Sequence, residues 1–290
     1  MKVAIIGYGF VGKALKNGLK KNVKTFLVDP KLNTDIKDLK DFEPEIVFVC
    51  VPTPMNDDGT QNIQILESVV NELHEFNNSA LIVIKSTVLP SYLSEIAKKI
   101  PKIVYNPEFL RENFANEDFI NSNLIIFGGN VLSTKNLGSF YLNHTKCIHT
   151  EYQFTDLISA SLIKYSINTF LSTKVIFFNE LYKIFSNSNT NESWKKFIEI
   201  MALDPRIGAS HMKVPGHDGK LGFGGPCFPK DNNALLEYSK QVGAPFHLLD
   251  ASIIINNEIR NQYDTLSNRE IEQNINYKNK IVNTSKRDIE

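Results

Sequence analysis

Two runs, Gly7-Tyr8-Gly9-Phe10-Val11-Gly12 and Gly222-Phe223-Gly224-Gly225-Pro226-Cys227-Phe228-Pro229-Lys230-Asp231, hold residue types whose spacing can do chemistry. The first is a GxGxxG directly after an apolar strand pattern and directly before a helical one. In that setting Gly7 permits a tight turn, Gly9 lets the backbone approach a pyrophosphate, and Gly12 allows close helix packing. The helix opened by Phe10 and Val11 adds the partial positive charge of its N-terminus. Asp29 ends the next strand pattern and is placed to accept hydrogen bonds from both hydroxyls of an adenosine ribose. Its charge favours NAD over NADP, although Lys31 is a nearby cation that would tolerate a 2′-phosphate.

In the second run, three glycines let the backbone come close to a ligand. Cys227 precedes a helix and lies three residues from Lys230, and both surroundings favour thiolate over thiol. A nucleophile of this kind beside a dinucleotide site points to covalent capture of a carbonyl intermediate. Cys50 and Cys147 fall inside apolar strand patterns and read as small buried hydrophobes. A third feature is Lys164 with Asn168, four residues apart and so on one face of a helix. An ammonium and an amide projecting together can stabilise an oxyanion, although such a pair by itself equally reads as a solvated face.

The elements that must position these groups change character along the chain. Its 290 residues, 42% hydrophobic and 22% charged, suit a globular protein with a substantial core and length for two domains. Lys+Arg and Asp+Glu both number 32, so the formal net charge is zero and no basic stripe suggests nucleic acid. No run approaches the ~18 apolar residues of a membrane span, and the N-terminus reads as no signal peptide. The expectation is a cytoplasmic protein with reduced thiols. The six histidines form no HxxxH or Cys/His cluster, so no metal is expected.

Strands are predicted at Lys2–Ile6, Lys24–Val28, Ile46–Val51, Leu81–Lys85, Lys102–Tyr105, Leu124–Phe127 and Lys146–His149, with helices at Phe10–Lys21, Ile63–Phe76 and Ser91–Lys99. That alternation is the pattern of a parallel sheet wound with helices. From Ser139 to Asp204 there is neither Gly nor Pro. Apolar residues there recur at helical spacing, predicting one long helix over about Thr155–Phe185 and another at Trp194–Met201. A loop follows from Pro205 to Pro229. Asp231 is predicted to cap a helix over Asn232–Gln241, Pro245 to open a last one, and the polar chain from about Asn268 to fray. The domain expectation is 1–150, 151–265 and a tail over 266–290.

These motifs occur in a recognisable order. The run Gly7–Gly12 and Asp29 are followed by Val49-Cys50-Val51-Pro52-Thr53-Pro54, Lys85-Ser86-Thr87-Val88 and Asn106-Pro107-Glu108-Phe109-Leu110-Arg111-Glu112. After these come Asn168-Thr169-Phe170-Leu171 with Asn179-Glu180, Asp204-Pro205-Arg206-Ile207 and Gly222–Asp231. Together they resemble the UDP-glucose/GDP-mannose dehydrogenase family, most closely its UDP-glucose 6-dehydrogenase branch, from residue 1 to about 260.

The resemblance implies an α/β fold: an N-terminal Rossmann-type doubly wound parallel sheet, followed by an all-helical dimerisation domain with a long central helix. It implies an NAD-dependent, four-electron oxidation of a sugar CH2OH to a carboxylate, as from UDP-glucose to UDP-glucuronate in polysaccharide biosynthesis. Carried over, Val51, Pro52, Thr53, Thr87, Glu112 and Lys230 lie on the cofactor side. Glu108, Phe109, Leu110, Arg111, Asn168 and Gly224 contact the sugar. Cys227 matches the nucleophile, Lys164 the oxyanion-stabilising lysine, and Asp231 a carboxylate that helps hold a catalytic water. Arg206 matches an arginine that in relatives reaches the neighbouring subunit's substrate, so a homodimer is expected.

Relatives continue into a third domain that contacts the nucleotide, and the expectation is that this domain is missing after Glu290. Two other readings compete: a single-step β-hydroxyacid-type dehydrogenase, which needs no Cys227, and a truncated, non-catalytic dinucleotide-binding protein.

Overall fold

A computed structural model of the chain describes residues 1–76 and 79–278. It divides into two compact units: Met1–Thr53 with Asn62–Lys164, and Pro54–Gln61 with the chain from Tyr165 on.

The first unit holds one seven-stranded sheet. Its strands are β1 (Lys2–Ile6), β2 (Lys24–Val28), β3 (Ile46–Val49), β4 (Leu81–Ile84), β5 (Val104–Tyr105), β6 (Ile126–Gly129) and β7 (Gln153–Thr155). They lie in the order β2-β1-β3-β4-β5-β6-β7. All neighbours run parallel except β5 and β6, so the expected parallel sheet carries one antiparallel junction. Because side chains alternate across a strand, successive residues serve opposite faces. Ala4, Ile6, Val47 and Val49 pack with Leu66, Val70 and Leu93 on one side. Val3, Ile5, Ile46 and Phe48 pack with Ala14, Leu15 and Leu137 on the other. All four residues of β3 are buried, as expected where helices cover both faces.

Two features of this unit depart from the sequence reading. Lys146–His149 is not a strand: the Lys146 and Ile148 N–H groups donate to the carbonyls of Gly18 and Ile120, the last residues of two helices. The seventh strand is Gln153–Thr155, which pairs with β6 and lets Phe154 and Tyr152 pack their tilted rings against Phe127 at 5.9 and 5.3 Å. A helix, Val131–His144, also went unpredicted. It starts at Asn130, whose side chain accepts from the Ser133 N–H, and it buries small residues such as Ser133, Thr134 and Gly138 beside its aromatic ones. That mixture blurs the apolar periodicity.

The 31-residue helix Leu157–Asn187 runs from the end of the first unit into the second. The other helices of the second unit are Trp194–Met201, Phe228–Gln241, His247–Arg260 and Asn268–Glu272. One core cluster joins Ile176, Phe223 and Ile259. Another joins Phe178, Met212 and Val214, with Trp194 and Ile198 against it. Ile176 therefore faces inward, whereas Ile163, Phe170, Phe177 and Ile184 are exposed at seven-residue spacing.

The helix predicted over Asn232–Gln241 begins earlier, at Phe228, with Cys227 at its N-cap and Pro229 in its first turn. Asp231 is thus no cap; it lies inside the first turn and is 1% exposed. Nor is residue 266 onward a frayed tail throughout. Ser267 and Glu270 form a capping box on Asn268–Glu272, and Ile275 and Tyr277 pack with Met55. The remainder of the predicted tail lies outside the described residues.

Candidate active site

In the first unit, β1 ends at Gly7, whose φ of +90° turns the chain. A Cβ there would meet the Cys50 carbonyl oxygen at 2.6 Å, and one at Gly12 would meet the Gly7 carbonyl oxygen at 2.2 Å. Gly9, by contrast, faces open space. It caps the helix Phe10–Gly18 without a side-chain bond, and no acidic residue occupies the first turn. The N–H groups and partial positive charge of such a helix end suit a pyrophosphate. Asp29 follows β2; its carboxylate accepts from the Tyr8 N–H at 2.6 Å and the Lys31 N–H at 2.9 Å. Those bonds fix it beside the turn, and a carboxylate oxygen has a second lone pair for a hydroxyl. The turn, the open Gly9 and the anchored acid fit a dinucleotide.

Thr53 is buried and donates its hydroxyl to the Thr87 carbonyl at 2.8 Å, which ties the segment after β3 to the one after β4. Val51 is buried and Pro52 exposed. Lys85, just after β4, and Asn106, just after β5, form a buried knot. The Lys85 ammonium donates to the Asn106 carbonyl and side-chain oxygen at 3.2 and 2.9 Å, and the Tyr141 hydroxyl donates to that side-chain oxygen at 2.5 Å. Burial pulls the Lys85 ammonium below its usual pKa, while the neighbouring Cys50 and Glu108 push it back up.

Next in line, Glu108 accepts from the Leu110 N–H at 2.6 Å and from the Lys164 ammonium at 3.3 Å. Lys164, buried, also donates to the Glu108 carbonyl at 2.6 Å and lies 5.1 Å from the Phe109 ring centroid. The helix-face pair noted in the sequence is therefore no solvated face. Arg111 is not brought in: it faces solvent and pairs with Asp118 at 2.6 Å. Glu112 is exposed as well.

In the second unit, Asn168 donates from Nδ2 to Asp231 at 2.6 Å, and the Lys230 ammonium meets the other Asp231 oxygen at 2.5 Å. One turn along, Ser172 and Asn232 repeat the link at 2.8 Å. The Asp231 N–H donates to the Cys227 carbonyl at 2.9 Å, so the carboxylate stands one helical turn from the half-buried cysteine. Burial drives the Cys50 thiol up to about 12 and raises that of Cys147. Arg206 stays 87% exposed and pairs with Asp204 at 2.6 Å.

The glycine run is held by Asn179, quoted above only as a motif residue, and by Asn256, Arg260 and Glu270, which sequence reasoning missed. The Gly222 N–H donates to Asn179 Oδ1 at 2.9 Å and the Phe223 N–H to Asn256 Oδ1 at 2.7 Å. Arg260, 4% exposed, donates to the Gly222 carbonyl at 3.0 Å and to Asp218 at 2.6 Å. Its guanidinium lies so close that a Cβ on Gly224 would meet Cζ at 2.7 Å. Glu270 accepts from the Gly225 N–H at 3.0 Å. Only the Ser267-x-x-Glu270 spacing signalled any of this, as a capping box. Among the described residues no three His, Cys, Asp or Glu gather as a metal would need, and no helix is long and apolar enough to cross a membrane.

A Rossmann-type sheet with a glycine turn and an anchored acid makes the first unit a dinucleotide-binding one, and the second unit carries the cysteine–carboxylate pair. Residues 13–145 match the NAD binding domain of the UDP-glucose/GDP-mannose dehydrogenase family and residues 158–258 its central domain. The chain belongs to that family, and its first unit is an NAD-binding domain.

Among its relatives, the UDP-glucose 6-dehydrogenase TuaD of Bacillus subtilis is 29% identical, over 89% of this chain and 63% of its own length. The UDP-glucose 6-dehydrogenase YwqF of the same organism is 33% identical, over 83% of this chain and 55% of its own. The chain thus spans less than two thirds of either. A UDP-glucose dehydrogenase structure from Pyrobaculum islandicum superposes with a TM-score of 0.74 at 24% identity, over 89% of this chain and 68% of that one, and shares its fold.

Proposed function

We propose that this chain carries the oxidising centre of a nucleotide-sugar dehydrogenase that converts a sugar C6 hydroxymethyl to a carboxylate in two oxidations, with UDP-glucose as the favoured substrate. The observation that carries the reading is the Asn168–Asp231 bond, one helical turn from Cys227. NAD+, held by Gly7, Gly9, Gly12 and Asp29, would supply the hydride acceptor for both oxidations.

The chain's own groups do the rest. A water held by Asp231 takes the C6 hydroxyl proton as the alcohol becomes an aldehyde. Cys227 Sγ then bonds to the aldehyde carbon, giving a thiohemiacetal whose oxyanion is stabilised by the Lys164 ammonium and the Asn168 amide. The second oxidation leaves a thioester. Water activated at Asp231 cleaves its C–S bond, releasing the acid and the Cys227 thiol. Covalent retention keeps the reactive aldehyde from escaping.

By the family resemblance, Glu108, Phe109 and Leu110 are assigned to the sugar, and Thr53, Thr87, Glu112 and Lys230 to the cofactor. Arg206 would complete the site of a second copy. The exposed repeat Ile163, Phe170, Phe177 and Ile184 supports a homodimer, because a seven-residue apolar stripe on one helix is the seam of a paired helix. We place such an enzyme in the cytoplasm, with its product supplied to polysaccharide synthesis.

A panel of nucleotide sugars followed by NADH absorbance tests the proposal. Two equivalents of NADH per acid formed are expected; one equivalent would assign a β-hydroxyacid-type reaction, and none a binding protein.

A further inference from the structure

The segment after the last long helix is not a passive extension. Glu270 is 4% exposed although it is a carboxylate, and its Oε1 accepts both the Gly225 N–H at 3.0 Å and the Tyr277 hydroxyl at 2.7 Å. Its other oxygen accepts the Ser267 N–H and hydroxyl at 2.8 and 2.9 Å. Gly225 has a φ of +79° and lies two residues before Cys227, with Pro226 between them, so the anchored N–H belongs to the turn that delivers the cysteine to its helix.

The segment is itself fastened at its far side. The Met55 N–H donates to the Gln273 carbonyl at 3.1 Å, the Asn274 amide donates to Met55 and Asp57, and Ile275 and Tyr277 pack on Met55. Asn179, Asn256 and Arg260 hold Gly222 and Phe223, and Glu270 holds Gly225. Burying the acid is tolerable because the Ser267, Tyr277 and Gly225 donors satisfy it together, which couples the Gly225 N–H to the fixed segment around Ser267 and Tyr277.

We propose that Glu270, fixed by Tyr277 and by the Met55 contacts, is a positioning residue for Cys227, so that the chain's C-terminal segment sets the aim of the nucleophile. The inference rests on the reading of Cys227 as the nucleophile. Releasing Gly225 frees the turn: the thiol becomes easier for a small reagent to reach and harder to present to a bound aldehyde.

The test uses the full 290-residue chain and three variants, Glu270→Ala, Glu270→Gln and Tyr277→Phe. Alkylation of Cys227 by iodoacetamide is followed by mass spectrometry, alongside kcat, KM and melting temperature. For Glu270→Ala the expected result is a kcat about tenfold lower with KM nearly unchanged, and alkylation at least about threefold faster. Glu270→Gln should recover most of both, since its amide oxygen still accepts the Gly225 N–H. A change in melting temperature with wild-type alkylation and kcat would overturn the proposal, because it would reduce Glu270 to a structural residue.

If Glu270→Ala does not fold, Tyr277→Phe decides. It removes one hydroxyl, and it must raise the alkylation rate, about twofold; the wild-type rate overturns the proposal. Should the parent chain make no acid at all, the alkylation arm still answers. A faster rate in Glu270→Ala then shows that Glu270 fixes the Cys227 turn, while the dehydrogenase reading, and with it the aiming of a nucleophile, fails.

Discussion

Asn168 and Asp231, 63 residues apart in sequence, share a 2.6 Å hydrogen bond that joins the long helix to the helix beginning after Cys227. Both side chains are buried, and the Ser172–Asn232 pair repeats the link one turn further on. A buried carboxylate is tolerable only with such partners, so the bond places two groups of the proposed reaction as well as two helices.

Replacing Asn168 by Ala should cost about 1–3 kcal/mol of stability, because Asp231 loses a charged-acceptor hydrogen bond without gaining water. It should also lower kcat more than it raises KM. Ser172→Ala is the control, with a smaller loss of melting temperature and unchanged turnover. Equal effects of the two on kcat would separate Asn168 from the chemistry.

Cofactor preference should follow Asp29. Its carboxylate, held by the Tyr8 and Lys31 N–H groups, repels a 2′-phosphate. NAD should bind at least about 1.4 kcal/mol, or tenfold, more tightly than NADP. Asp29→Ser should narrow that gap. Equal affinities measured by titration calorimetry on the parent chain would remove the assignment.

The cysteines should differ in reactivity. With its thiol pushed up to about 12, Cys50 is thiolate to only about one part in ten thousand at pH 8. Iodoacetamide should therefore mark Cys227 while Cys50 stays unmodified, as read by peptide mass spectrometry. Cys227→Ser should keep NAD binding and lose acid formation, since serine is a poorer nucleophile here and an ester a poorer acyl donor. Wild-type acid production by this variant would refute the covalent route.

The stripe on the long helix should be an interface. Phe170 and Phe177 are 69% and 57% exposed, and burying such a side chain contributes about 1.5–3 kcal/mol. Phe170→Asp with Phe177→Asp should convert a dimer to monomer in light scattering and remove activity that depends on Arg206 from the second copy. A parent chain that is an active monomer would end the dimer proposal.

Acid should loosen the C-terminal segment. Burial alone would raise the Glu270 carboxyl, but the bonds from Ser267, Tyr277 and Gly225 outweigh it and hold it below the usual carboxylate range. Besides Glu270 itself, Arg260 and Asp218 act electrostatically on Tyr277. A carboxyl depressed in the folded state contributes stability above its unfolded pKa and loses it as pH falls through the folded value. Melting temperature should thus fall below about pH 4.5, and less steeply in Glu270→Gln.

The glycine turn, Asp29 and the buried strands were legible in the sequence because each is a local requirement. A φ of +90° at Gly7, a bare helix end at Gly9 and apolar residues on both faces of Ile46–Val49 follow from neighbours a few positions away. Cys227, Lys164, Asn168 and Asp231 stand as sequence-derived candidates, of which the fold brings Asn168 onto Asp231.

What only the tertiary structure decided were the outcomes of competition between distant partners. Gln153–Thr155 rather than Lys146–His149 became β7 because the Phe127 ring accepted Tyr152 and Phe154. Asp231 went inside its helix rather than onto the cap because Asn168 waited 63 residues upstream to bond it. The polar stretch around Glu270 read as solvated because periodicity registers no apolar face there; it ordered because Gly225, Tyr277 and Met55 together satisfied groups that no local pattern could pair.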